Sequence, residues 1–121
     1  MRKLIKAMTA VAFAAGVAVT AGATDAQAAG GTYEGCPYTA VCVYPQDAGW
    51  NGGNPSLIFY SYGAHNLSGQ YGNHILFNNQ SGGATAQTCT GYDGVGCQGY
   101  LKANTYMTKD LTPINSIKLN P

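Results

Sequence analysis

The sequence predicts an all-β protein. Three observations carry that reading: short β-prone runs, turn residues between them, and no amphipathic helical stretch of useful length after residue 28. Glycine, asparagine, threonine, serine and tyrosine dominate this region, a composition suited to turns and pleated strands. Several short strands at close spacing indicate an antiparallel sandwich or barrel.

Taken in chain order, strands are expected at Val41–Tyr44, Ser56–Tyr60, His74–Phe77, Ala84–Cys89 and Ser116–Leu119. Period-2 alternation in the second run turns Phe59 inward and Tyr60 outward. Between the runs sit Asn51-Gly52-Gly53-Asn54-Pro55, Asn78-Asn79-Gln80-Ser81-Gly82-Gly83 and Tyr92-Asp93-Gly94. These residues supply positive φ or local side-chain turns.

Ahead of the β-rich region, Arg2, Lys3 and Lys6 precede an uncharged Ala- and Val-rich run, and Ala26-Gln27-Ala28 offers small residues to a signal peptidase. This order of charge, apolar run and cleavage site reads as a secretory signal over residues 1–28. A membrane anchor would need about 20 apolar residues, and the run is shorter and broken by small ones. The expected mature chain, residues 29–121, is one domain, secreted and extracellular, with no membrane association after processing.

That region holds Lys102, Lys109 and Lys118 against Glu34, Asp47, Asp93 and Asp110, a net charge of −1. So few charges, with no basic cluster, argue against nucleic acid as a partner. All four cysteines lie here: Cys36, Cys42, Cys89 and Cys97. An even count in a small exported chain reads as two disulfides, of which three connectivities are possible. The local pairing Cys36–Cys42 and Cys89–Cys97 is favoured, because each pair closes a short loop within one half. A zinc site is the alternative, but no pair has the usual spacing with His nearby. No metal or cofactor is expected.

The chain also repeats itself. His65-Asn66-Leu67-Ser68 leading into His74–Asn78 parallels Lys109-Asp110-Leu111-Thr112 leading into Ser116–Asn120. Upstream of each lies a cysteine-bearing strand and a Gly-rich hairpin. Two successive units of about 40 residues suggest two four-stranded Greek keys packed face to face. Their expected spans are about 36–80 and about 84–121.

The segment Val41-Cys42-Val43-Tyr44-Pro45-Gln46-Asp47-Ala48-Gly49-Trp50-Asn51-Gly52-Gly53 resembles the opening of a βγ-crystallin Greek key, with an aromatic strand followed by a folded hairpin. With the export signal, Cys36-Pro37 and two short-range cysteine pairs, the chain resembles peptidase inhibitor family 36 over nearly all of residues 36–119. These are secreted actinobacterial metalloproteinase inhibitors with a crystallin-like fold. The resemblance implies a βγ-crystallin-like sandwich of two Greek keys, and a monomer that blocks the cleft of an extracellular metallopeptidase. The matching inhibitory loop runs from Cys89 to Cys97, with Thr90, Tyr92 and Val95 as its contact residues. A disulfide across seven residues limits the entropy lost on docking, and an aromatic anchor can fill an apolar pocket. Three glycines, Gly91, Gly94 and Gly96, are expected to loosen this loop.

Other constellations read as structure. His65 and His74 have no nucleophile elbow or metal-helix spacing around them, and are expected to be surface or turn residues. Paired glycosidase carboxylates are also missing: Glu34 is placed in a mobile N-terminal tail, and Asp47, Asp93 and Asp110 beside turns. No enzymatic activity is expected. Calcium prefers six to eight oxygens with carboxylates among them. Neither Tyr71–Ile75 nor Pro113–Ile117 supplies that set, so Asn115 and Ser116 read as turn residues holding the final strand. Nine tyrosines and Trp50 suggest a second class of function, a polysaccharide or cell-surface binding module with stacking aromatics. Against that, a crystallin-like key would bury Trp50 as the plug of its first hairpin.

Overall fold

The structure is a computed structural model that describes Thr24–Asp25 and residues 30–121. Apart from Thr24–Asp25, the segment read as a secretory signal lies outside the described residues. The strands are β1 (Thr24–Asp25), β2 (Val41–Val43), β3 (Leu57–Phe59), β4 (Gly63–Asn66) and β5 (Asn73–Asn78). They continue with β6 (Thr85–Cys89), β7 (Cys97–Lys102), β8 (Thr105–Asp110) and β9 (Ser116–Asn120). A single 3-10 turn, Tyr92–Gly94, separates β6 from β7.

The expected all-β class holds, and the pairing is antiparallel throughout. One sheet has the order β1-β8-β5-β2-β3 and the other β4-β9-β6-β7. The five expected strands correspond to β2, β3, β5, β6 and β9. Three strands in the β-rich region, β4, β7 and β8, were not anticipated. Gly63-Ala64-His65-Asn66 has no apolar run, and β7 is interrupted by Gly99. Pairing with neighbours, not side-chain preference, makes strands of these two, whereas β8 carries the β-prone run Thr105-Tyr106-Met107-Thr108.

Each half of the chain gives its fourth, first and second strands, in that spatial order, to one sheet. Its third strand goes to the other sheet: β4 joins β9, and β8 joins β5. A Greek key confined to one sheet would instead run fourth, first, second, third. The exchange is mirrored in the backbone. Leu67 N–H, just after β4, donates to Asn115 O, and Leu111 N–H, just after β8, donates to Gly72 O, both at 2.9 Å. Leu67 and Leu111 are both buried, at corresponding places in the repeated segment. The halves therefore cannot separate without breaking both sheets.

Strand alternation builds two cores from the five-stranded sheet. Val41, Val43 and Leu76 face inward and meet Ala86, Leu101, Ile117 and Leu119 of the other sheet, with Leu57, Phe59 and Met107 at the margins. Each such aliphatic side chain contributes about 1.5–3 kcal/mol on burial. Phe59 packs against this core while Tyr60 is exposed, as alternation predicts.

The opposite face of the same sheet carries a second core. Cys42, Phe77 and Tyr106 lie abreast on β2, β5 and β8. Cys36, Ala40 and Tyr44 pack with them, as do Tyr33, Trp50 and Ile75. The Cys36–Cys42 disulfide pins the incoming chain onto this face. Glu34 is consequently not in a mobile tail. Its carbonyl accepts a 2.7 Å hydrogen bond from the buried Tyr44 hydroxyl, and Tyr33 and Cys36 bridge beside it. Burial, with Glu34 and Tyr33 adding to it, pushes the Tyr44 phenol well above its ordinary value.

The expected turn at 78–83 begins later than its composition implies. Asn78, Asn79 and Gln80 are buried, and only residues 81–83 are exposed. Asn78 Nδ2 donates to Ala84 O and Leu101 O, and Asn78 Oδ1 accepts from Gln80 N and Nε2. Asn79 Nδ2 donates to Gly31 O and Cys36 O. These amides satisfy carbonyls where the strands end, which turn-forming residues do without making a surface turn.

Candidate functional site

The second disulfide, Cys89–Cys97, joins the facing ends of β6 and β7, so both cysteine pairs are the local ones expected. Two disulfides among the described residues fit an oxidising environment. Beyond Cys89 the two chains continue as a ladder: Thr90 N–H donates to Gly96 O at 3.1 Å, and Gly91 N–H to Val95 O at 2.9 Å. The tip is the 3-10 turn, with Asp93 in the left-handed region at φ 59° and ψ 29°. Gly91 and Val95 on either side are extended. The loop is a clipped, laddered hairpin.

Two of its three glycines are needed for its shape. At Gly96, φ is 70° and a Cβ would stand 2.7 Å from Thr90 Oγ1. Gly94, at φ 76°, brings the turn within 3.2 Å of the Ala64 methyl, measured to where its own Cβ would be. Both positions therefore require a residue without a side chain.

Three side chains from outside the loop hold it down. Asn66 at the end of β4 makes a reciprocal pair with Asp93. Asn66 Nδ2 donates to Asp93 Oδ1 at 3.0 Å, and Asp93 N–H donates to Asn66 Oδ1 at 2.7 Å. Ser116 Oγ donates to Gly91 O at 2.7 Å and accepts from Gly94 N–H at 3.0 Å. Asn115 Nδ2 donates to Thr90 O at 2.7 Å. Asn115 and Ser116 thus secure the hairpin, a role that reading them as residues holding the final strand missed. An Asx residue ending one strand and an Asn-Ser pair opening another were the available signals, but nothing local ties them to residues 90–94.

The hairpin presents two large apolar side chains to solvent, beside the exposed Thr90 and Asp93. Tyr92 is 57% exposed and Val95 64% exposed, and Thr90 is exposed beside them. Tyr92 also lines a recess of about 180 Å³ with Ser68, Gln70, Tyr71, Thr112 and Asn115, floored by Leu67 and Ile114. Sequence reading did not bring Tyr71 and Tyr92 together. The fold does so, because the Cys89–Cys97 hairpin lies beside the segments that follow β4 and β8.

The remaining candidates are structural. Trp50 is half-buried and makes edge contacts with Tyr33, Tyr44, Phe77 and Tyr106 at centroid distances of 4.7–5.6 Å. It packs against the outer core. His65 stacks on Phe59 at 4.6 Å, its Nε2 lying 2.7 Å from Ser61 O. His74 is not a surface residue: it is buried, with Nδ1 2.7 Å from Tyr44 O and Nε2 2.9 Å from Tyr71 O. From β5 it ties the end of β2 to the recess loop. Asp110 is exposed. Its carboxyl is held below the usual carboxylate range by hydrogen bonds from the Thr112 backbone N–H, at 3.0 Å, and then from the Thr112 side chain.

Among the described residues no three His, Cys, Asp or Glu side chains form a metal-binding group, and no helix is long and apolar enough to cross a membrane. No protein-family model, curated protein or solved structure matches the chain.

Proposed function

We propose that the protein is a secreted, non-enzymatic peptidase inhibitor of the crystallin-like inhibitor type, acting on extracellular metallopeptidases through the Cys89–Cys97 hairpin. The observation that carries the reading is the hairpin itself, clipped at its base, laddered along its length and exposing Tyr92 and Val95 at its tip. A protein inhibitor needs a segment already held in one shape, so that docking costs little conformational entropy. Exposed apolar side chains on such a segment supply the contact energy. Two antiparallel sheets in an all-β chain are compatible with the sandwich that the resemblance implies.

The polysaccharide reading draws less support, because Trp50, its natural platform, is surrounded by four other rings. The test is titration of purified mature protein against thermolysin-like and other secreted metallopeptidases, beside a Tyr92→Ala, Val95→Ala double variant. Tight inhibition by the wild type and its loss in the variant are expected. A panel left fully active by the wild type overturns the reading. Retention on chitin, cellulose or peptidoglycan would then favour the binding module.

A further inference from the structure

We infer that Asn66, with Ser116 as its second support, is the positioning residue that sets the pose of Tyr92 for peptidase binding. The inference rests on the inhibitory reading above and names residues outside the loop that it depends on. Asp93, directly after Tyr92, takes a left-handed conformation that non-glycine residues adopt at a cost. Neither the disulfide nor the two ladder bonds reaches it, since those act on residues 89–91 and 95–97. The tip is instead gripped by side chains from two other strands.

Asn66 offers Asp93 the same donor and acceptor pair that a peptide group offers in a strand ladder, at 3.0 and 2.7 Å. Asn66 sits on β4, the strand that the first half lends to the second sheet, so the first half of the chain shapes a loop of the second. Ser116 bridges the two sides of the turn, taking the Gly94 N–H and giving its proton to Gly91 O. Together they fix the backbone on both sides of Tyr92.

The Asn66–Asp93 pair is exposed to water, where hydrogen bonds add little to overall stability. Such a pair is therefore suited to choosing one loop conformation rather than to holding the fold.

The test combines inhibition with a reading that does not depend on any peptidase. Asn66→Ala is expected to raise the inhibition constant about tenfold, because the freed residues at the tip must be ordered again on binding. The melting temperature should barely move. Asn66→Asp alone sets two carboxylates face to face and should weaken inhibition at least as much. Adding Asp93→Asn to it reverses donor and acceptor and should restore inhibition to near the wild-type value. Amide exchange at residues 93 and 94 should be slow in the wild type, faster at 93 in Asn66→Ala and faster at 94 in Ser116→Ala.

An unchanged inhibition constant in Asn66→Ala, or failure of the reversed pair to restore inhibition, overturns the positioning role while leaving the inhibitory reading standing. Unprotected amides at both positions in the wild type also overturn it. A wild type that inhibits nothing removes the inhibitory reading and this role together, even where the exchange data show the turn to be locked.

Discussion

Trp50 meets Tyr106 at 4.7 Å between ring centroids and 64° between planes, so the first hairpin closes onto a strand that belongs to the second half of the chain. This contact, with the other edge-on rings around the indole, makes the outer core a joint between halves. Edge-to-face aromatic pairs add about 0.5–1.5 kcal/mol beyond their buried area. Trp50→Ala should therefore cost about 3 kcal/mol, measured by urea denaturation, while the inhibition constant stays within about twofold. Trp50 is the only tryptophan, so fluorescence follows the wild-type transition directly.

Tyr44→Phe removes the hydroxyl that donates to Glu34 O and leaves that carbonyl without its partner. A loss of about 1–2 kcal/mol is expected, with faster amide exchange in residues 33–36. Equal stability in the variant would mean that the Cys36–Cys42 bridge and the Asn79 amide suffice to hold the incoming chain.

Asn78→Ala strips one side chain from four hydrogen bonds and exposes nothing in exchange, since the site is fully buried. The expected cost is about 2–3 kcal/mol, because buried carbonyls at Ala84 and Leu101 lose a donor. Chemical denaturation with an unchanged m-value would report it.

The pH dependence of stability carries the mark of Asp110. A carboxylate lowered in the folded state adds stability above its unfolded value, and that contribution disappears as pH falls through the folded value. Asp110→Ala should thus be less stable than the wild type at neutral pH, and the two curves should converge below the ordinary carboxylate range. A gap that persists into strong acid would point to lost packing instead of lost charge.

Cys89→Ser with Cys97→Ser should lower stability by about 2–3 kcal/mol on the chain-entropy account and weaken inhibition by more than tenfold. Inhibition at wild-type strength in that variant would show that the ladder bonds suffice to hold the hairpin.

Much of this fold is legible where side chains alternate over a buried face. Val41–Val43 and Ser116–Leu119 follow the period-2 rule, and the structure buries Val41, Val43, Ile117 and Leu119 in the inner core. The strands that escaped reading include both exchanged ones, β4 and β8. Residues 63–66 alternate between half-buried and exposed with only one small apolar side chain, so no hydrophobic signal marks them. The candidate site divides the same way. Cysteine spacing announced the clip, whereas the grip of Asn66 and Ser116 on the tip spans 27 and 25 residues of chain and depends on which strands the fold brings side by side.

None of residues 90–96 belongs to either apolar core. The loop leaves and re-enters the sandwich through one cross-linked pair of facing residues, so its sequence is insulated from the packing that makes the protein fold. That separation makes the hairpin a cassette. A rewritten tip has to supply a left-handed residue that pairs with Asn66, glycine at 94 and 96, and backbone that Ser116 and Asn115 can still reach. On the inhibitory reading proposed above, substitutions at 92 and 95 should change the target while leaving melting behaviour nearly untouched.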